Sequence, residues 1–194
     1  EIYRCDWSSD VCSSDLVDLS QKGDTLPMVK RSFITTVILL SSAVYAQQPS
    51  PQERLSQAAN TGNVAEAKAA VKAGANPNQG FGSMATYGGV KAVRTLVEAG
   101  ADVNSATSGG WTPLMGAADE GKLETVKYLV SKKANVNAKT RQGRTAAIRA
   151  AYHDRAEVIE FLLSKGANVN EADSGGVTAL MLAAQAGHEK TVKV

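Results

Sequence analysis

Along the second half of this chain, apolar residues recur at i, i+3 and i+4 within otherwise polar segments. Val93, Leu96 and Val97 form one set, Val126, Leu129 and Val130 a second, and Ile159, Leu162 and Leu163 a third. That spacing puts one apolar stripe on one side of a helix. Each of the last two stripes follows a shorter segment that carries an alanine pair, Ala117-Ala118 and Ala150-Ala151; the pair recurs at Ala58-Ala59 and Ala183-Ala184. Small side chains there let neighbouring helices approach closely, so the pattern predicts units of helix, short turn and second helix. Thr112, Thr145 and Thr178 suit the N-cap of the first helix, where a hydroxyl oxygen accepts from an otherwise orphan N–H. Pro113 suits the first helical position, where its missing N–H costs nothing. Gly74, Gly100 and Gly166 are predicted to end second helices with positive φ. Lys133 stands in that place in the third unit, at a cost of about 1 kcal/mol if the left-handed conformation is kept.

The units share a fixed period. Ala-(Asn/Asp)-(Pro/Val)-Asn occurs at Ala75–Asn78, Ala101–Asn104, Ala134–Asn137 and Ala167–Asn170, and the last three copies are 33 residues apart. A period near 33 marks a stack of repeats. Repeat three runs from Gly109 to Asn137, repeat four from Gln142 to Asn170, and repeat five begins at Gly175. Together these residues resemble the ankyrin repeat, whose pattern G-x-TPL-x-x-AA-x-x-G-H-x-x-V-x-x-L-L-x-x-GA-D-V-N they follow from Leu55 to Val194. Ala147 departs from the first-helix leucine, and Asp154 from the turn glycine, although aspartate tolerates that conformation better than most residues. The resemblance implies an all-α ankyrin-repeat solenoid of helix-turn-helix units with hairpin-like connections, occupying 55–194.

Two repeats deviate. Repeat one, Leu55 to Asn78, is rich in alanine and polar residues, with a stripe of only Ala67, Ala70 and Val71, as suits a solvent-facing capping unit. The step from Ala75 to Ala101 is 26 residues, so repeat two is seven short. The missing stretch is expected between Asn78 and Phe81. This predicts an irregular or weakly helical segment over Gly80–Gly89 and a notch in the row of hairpin tips.

The residues before the repeats have a different character. Asp6–Leu16, DWSSDVCSSDL, matches the translation of a common sequencing-library adapter over all eleven residues. Residues 1–27 are therefore expected to be a non-native leader, with Val17–Pro27 as translated upstream DNA. Cys5 and Cys12, the two cysteines of the chain, fall in or beside that stretch and support neither a disulfide nor a metal reading. Residues 28–46 have the layout of a secretory signal: Lys30-Arg31, the apolar run Phe33–Leu40, and Val44-Tyr45-Ala46 before a cleavage point between Ala46 and Gln47. The apolar run is too short for a comfortable span. Residues 47–54 are expected to be a polar linker.

The whole chain carries 21 basic and 19 acidic residues, and the part after Ala46 carries 17 and 13. This mild, dispersed positive bias gives no argument for nucleic acid. Val194 falls within the second helix of repeat five, and the apolar positions that should follow Val192 are missing, so the sequence is expected to be a fragment of a longer stack.

Chemistry is sparsely represented. His188 matches the Gly-His turn of the repeat pattern, a structural place. His153 stands beside Asp154 at the end of a first helix. No nucleophile with a spaced base, no metal-ligand cluster and no phosphate-cradling loop occurs. The expectation is a non-enzyme with no cofactor and no metal. The resemblance instead implies a binding surface made of hairpin tips and exposed first-helix positions. In repeat three these are Trp111, Met115, Asp119 and Glu120. In repeat four they are Arg141, Arg144, Arg149, Tyr152 and His153, and in repeat five Met181, with Val177 and Gln185 beside it. Trp, Tyr and Arg are the types that most often carry interface energy. Trp111 either meets a partner or packs on the glycines of its own repeat.

The function expected is that of a non-catalytic, exported protein-interaction module, bacterial and periplasmic or extracellular, monomeric, that binds another protein on its hairpin tips and first-helix face. The alternative is an accessory or regulatory domain of a larger exported enzyme.

Overall fold

The computed structural model describes residues 49–194. The adapter-like leader, the signal segment with Ala46-Gln47 and the start of the linker lie outside the described residues. Ten helices follow in pairs among the described residues: α1 (Pro51–Thr61) and α2 (Val64–Lys72); α3 (Phe81–Tyr87) and α4 (Val90–Glu98); α5 (Pro113–Asp119) and α6 (Leu123–Ser131); α7 (Ala146–Tyr152) and α8 (Ala156–Ser164); α9 (Ala179–Ala186) and α10 (Glu189–Lys193). They contain no strand; a single isolated antiparallel bridge joins Ala172 and Thr178.

The helix ends follow from local chemistry. Thr112, Thr145 and Thr178 each cap a first helix, accepting from Met115, Ile148 and Met181 N–H respectively. Each oxygen thereby satisfies one of the donors a helix start leaves unpaired. The second helices are followed by Gly74, Gly100 and Gly166 at φ of 101°, 106° and 84°. Lys133 takes the same left-handed conformation at φ 67°, and Asp154 does so at 55° in the turn after α7.

The first helices α3, α5, α7 and α9 pack in a row, each on the next, while α4, α6, α8 and α10 form a second row. The apolar stripes face inward: Val93, Leu96, Val126, Leu129, Ile159 and Leu162 are all buried. The alanine pairs at 117-118 and 150-151 are fully buried between helices. Gly116 brings α3 and α5 closer still, since a Cβ placed there would stand 2.1 Å from Thr86 Oγ1.

The recurring Ala-(Asn/Asp)-(Pro/Val)-Asn motif has a mechanical role. Its second residue folds back on its fourth: Asn135 Oδ1 accepts from Asn137 N–H at 3.0 Å, and the same bond recurs at Asn76, Asp102 and Asn168. The fourth residue then reaches the next repeat. Asn104 Oδ1 accepts from Asn135 N–H at 2.8 Å, and Asn137 Oδ1 from Asn168 N–H at 2.9 Å. Their amide nitrogens donate to the carbonyls of Lys133 and Gly166. The motif is a stitch between neighbouring repeats, which explains why it holds the period.

Two expectations change. The first helix starts at Pro51, inside the expected linker, because Ser50 and Glu53 form a reciprocal capping box. The hydrogen bonds from Ser50, its backbone N–H first and then its hydroxyl, hold the Glu53 carboxyl below its ordinary value. The segment after Gly80, expected to be irregular or weakly helical, is a full helix: Phe81–Tyr87 has seven residues, the same length as α5 and α7. Tertiary contact outweighs its weak local signal, because Phe81 and Ala85 are fully buried. Gly80, the N-cap of α3, stands five positions after Ala75, where Thr112 stands eleven positions after Ala101. Six of the seven missing residues therefore come from the connection. The seventh comes from the turn after α3, where Gly88-Gly89 replaces a three-residue link.

Candidate functional site

The face built by the first helices of repeats three and four gathers five of the expected residues. Trp111 precedes the N-cap of α5, and Asp119 ends that helix about two turns later. Arg149 lies mid-way along α7, Tyr152 ends it, and His153 is its C-cap. The stacking of α5 on α7 brings these two sets together.

Arg149 is the centre. Its Nη2 lies 2.6 Å from Asp119 Oδ1. Its guanidinium carbon lies 5.0 Å from the centroid of the Trp111 ring and 5.5 Å from that of Tyr152. Both distances are within cation–π range. His153 Nε2 stands 3.3 Å from the same Asp119 oxygen, which makes an ion pair when the imidazole is protonated. The His153 ring also meets Tyr152 edge-on, with centroids 4.9 Å apart. The side chains of Arg149 and Asp119 retain only 17% and 14% of their exposure, so the pair is held out of bulk solvent and its attraction is little screened. Arg149 Nε is buried without an acceptor among the described residues. Tyr152 remains 54% exposed and covers the guanidinium. The arrangement is a rigid platform of aromatic surface and charge with polar flanks; it brings no nucleophile and base together.

The other expected residues are placed differently. Glu120 and Arg141 are exposed, on the turn after α5 and on a hairpin tip. Arg144 turns away from the cluster and stands 3.6 Å from Asp173 of the neighbouring tip. Met181 is 57% exposed on α9. Met115 is a correction: it is fully buried. As the third residue after the Thr112 cap it points between α5 and its neighbours, as Ile148 does in α7. The apolar Ile148 in the equivalent place was the available signal that this column faces the core.

Sequence reasoning missed Tyr87. It ends α3 as Tyr152 ends α7, and it is 78% exposed. Its equivalence to Tyr152 was hidden by the shortened repeat. A second feature was also missed. Lys122 Nζ donates to Gly88 O at 2.7 Å, and Arg155 Nε to Asp119 O at 3.2 Å. His188 Nε2 lies 3.2 Å from Tyr152 O. The residue before α6, α8 and α10 thus meets a carbonyl at the end of the first helix of the preceding repeat, which anchors the backbone carrying Asp119 and Tyr152.

A family model described as ankyrin repeats (many copies) matches residues 115–163 and 155–194. Comparison with curated proteins gives no match. Ankyrin repeats commonly serve as protein–protein interaction modules, and domains built from them are generally non-catalytic. No helix among the described residues is long and apolar enough to cross a membrane.

Proposed function

Since the described residues form an all-α ankyrin-repeat solenoid, we propose that this chain is a non-catalytic, exported module that holds a partner protein on the first-helix face of repeats three and four. The observation that carries this reading is the convergence of Trp111, Arg149 and Tyr152 around Asp119. Aromatic and arginine side chains supply most interface energy when they are clustered. Arg149 is already fixed by its carboxylate and two rings, so little side-chain freedom is lost when a partner arrives. Glu120 and Arg141 belong to the solvated rim. Tyr87 extends the same face toward repeat two, whereas Met181 stands in the column of Met115 and Ile148 and is no part of it.

Export rests on the basic, apolar and small-residue order of residues 28–46, with Gln47 as the mature start. Recovery of a chain beginning at Gln47 from outside the cytoplasm supports it; an intact chain beginning at Met28 in the cytoplasm contradicts it.

The binding face is tested by placing a photocrosslinking amino acid at Tyr152 in cells, with Lys127 on α6 as the control. The expected result is one protein adduct from position 152 and none from 127. Equal labelling at both places, or labelling at 127 alone, would remove the assignment.

A further inference from the structure

The hairpin tips of repeats three, four and five are joined backbone to backbone. Arg141 N–H donates to Gly109 O at 2.9 Å, and Ser174 N–H donates to Gln142 O at 2.8 Å. The residue after each accepting carbonyl is a glycine, and each lies very close to the next tip. A Cβ on Gly110 would stand 2.9 Å from Thr140 Cα, and one on Gly143 would stand 3.1 Å from Asp173 Cα. The rule of this row is a carbonyl followed by glycine, laid against the tip of the next repeat.

Repeat two breaks the row. Its connection is six residues shorter, and among the described residues no backbone hydrogen bond joins the Thr107–Gly110 tip of repeat three to repeat two. By register, Ser108 is the counterpart of Arg141 and Ser174. Ser108 and Thr107 are exposed, and Ser108 N–H has no acceptor among the described residues. Below the tips the stack is intact, because Asn78 Oδ1 still accepts from Asp102 N–H at 2.8 Å. In the register of the row, the place of a repeat-two hairpin is taken by the short, exposed Gln79-Gly80 turn.

The geometry points to this place as a docking slot for an extended, glycine-bearing segment of a partner protein. The segment takes the place of the missing repeat-two hairpin. One of its carbonyls accepts from Ser108 N–H, and a glycine follows that residue because a Cβ there would run into Thr107. Addition of a chain to unpaired backbone groups gives affinity from the main chain and specificity from the side chains that fit. The slot is separate from the Arg149 platform, which lies on the repeat-four side of the same tip.

The probe is a synthetic copy of Ser105–Trp111, which carries the required glycine in register, titrated into 15N-labelled protein. The expected result is a saturable shift of the Ser108 and Thr107 amides at about 1 mM peptide, the weak end of association. The same peptide carrying Gly110→Val should bind at least tenfold more weakly. A chain with the six residues Ser105–Gly110 inserted after Asn78 fills its own slot and should not respond, while an Arg149→Ala chain should respond as the parent does. No saturable shift, or equal shifts with the valine peptide, would overturn the proposal without bearing on the Arg149 face; the valine peptide leaves the protein untouched, so the result does not depend on the inserted chain folding.

Discussion

Arg149 of repeat four is held 2.6 Å from Asp119 of repeat three, between the rings of Trp111 and Tyr152. The two partners of this pair are not equivalent. Asp119→Ala leaves a largely enclosed guanidinium without its counter-charge and should cost about 2 kcal/mol in chemical denaturation. Arg149→Met keeps an apolar stem beneath the rings and should cost about 1 kcal/mol or less. Equal losses would show that the pair contributes only packing.

Gly116 is needed for the approach of α5 to α3. Gly116→Ala should destabilise the stack by about 1–3 kcal/mol, since the new methyl overlaps Thr86 Oγ1. Thr86→Ala removes that oxygen and should recover most of the loss in the double variant. Additive effects in the double-mutant cycle would mean that the strain lies elsewhere.

Much of this architecture is legible in the sequence because each repeat states it again. The threonine caps, the buried stripes and the left-handed Lys133 and Asp154 all follow from position within the period. The platform is less legible. Trp111 and Arg149 lie in different repeats, and only the stacking of α5 on α7 brings a cation over that ring. Met115 was misplaced because a tip-and-face pattern does not say which first-helix column turns inward. The helix over Phe81–Tyr87 was hidden because glycines and the lack of a cap outweighed one large apolar residue, whereas burial of Phe81 decides the outcome.

Asn137 should be worth more than an exposed asparagine usually is. Its side chain accepts from Asn168 N–H and donates to Gly166 O. Asn137→Ala removes both bonds and should cost about 1–2 kcal/mol, with faster amide exchange at Asn168 as the local sign. Lys133→Gly acts in the opposite direction: relief of its left-handed backbone should add about 1 kcal/mol. Protection at Asn168 unchanged by Asn137→Ala would contradict the stitch.

The connection that forms the tip of repeat five carries two carboxyls held below their ordinary range. Asp173 is held there mainly by the N–H groups of Val177 and Gly175, with Arg144 nearby, against some desolvation. Glu171 is held there mainly by its hydrogen bond from Lys139, again against desolvation. A carboxyl depressed in the folded state adds stability above its unfolded pKa, about 4. That contribution fades as pH falls through the folded value. Carbon-13 titration should therefore give low midpoints for both. Lys139→Ala should return Glu171 toward the ordinary value and leave Asp173 low, because the main donors of Asp173 are backbone groups. Parallel movement of both would contradict that division.

The most direct measurement of the partner-binding face is calorimetric titration of the protein crosslinked through position 152 against the parent chain and Tyr152→Ala, with thermal unfolding recorded alongside. Tyr152 is exposed, so its loss should weaken binding at least tenfold, about 1.4 kcal/mol, while the unfolding temperature stays nearly unchanged. Unaltered affinity in a normally folded Tyr152→Ala chain would contradict the account.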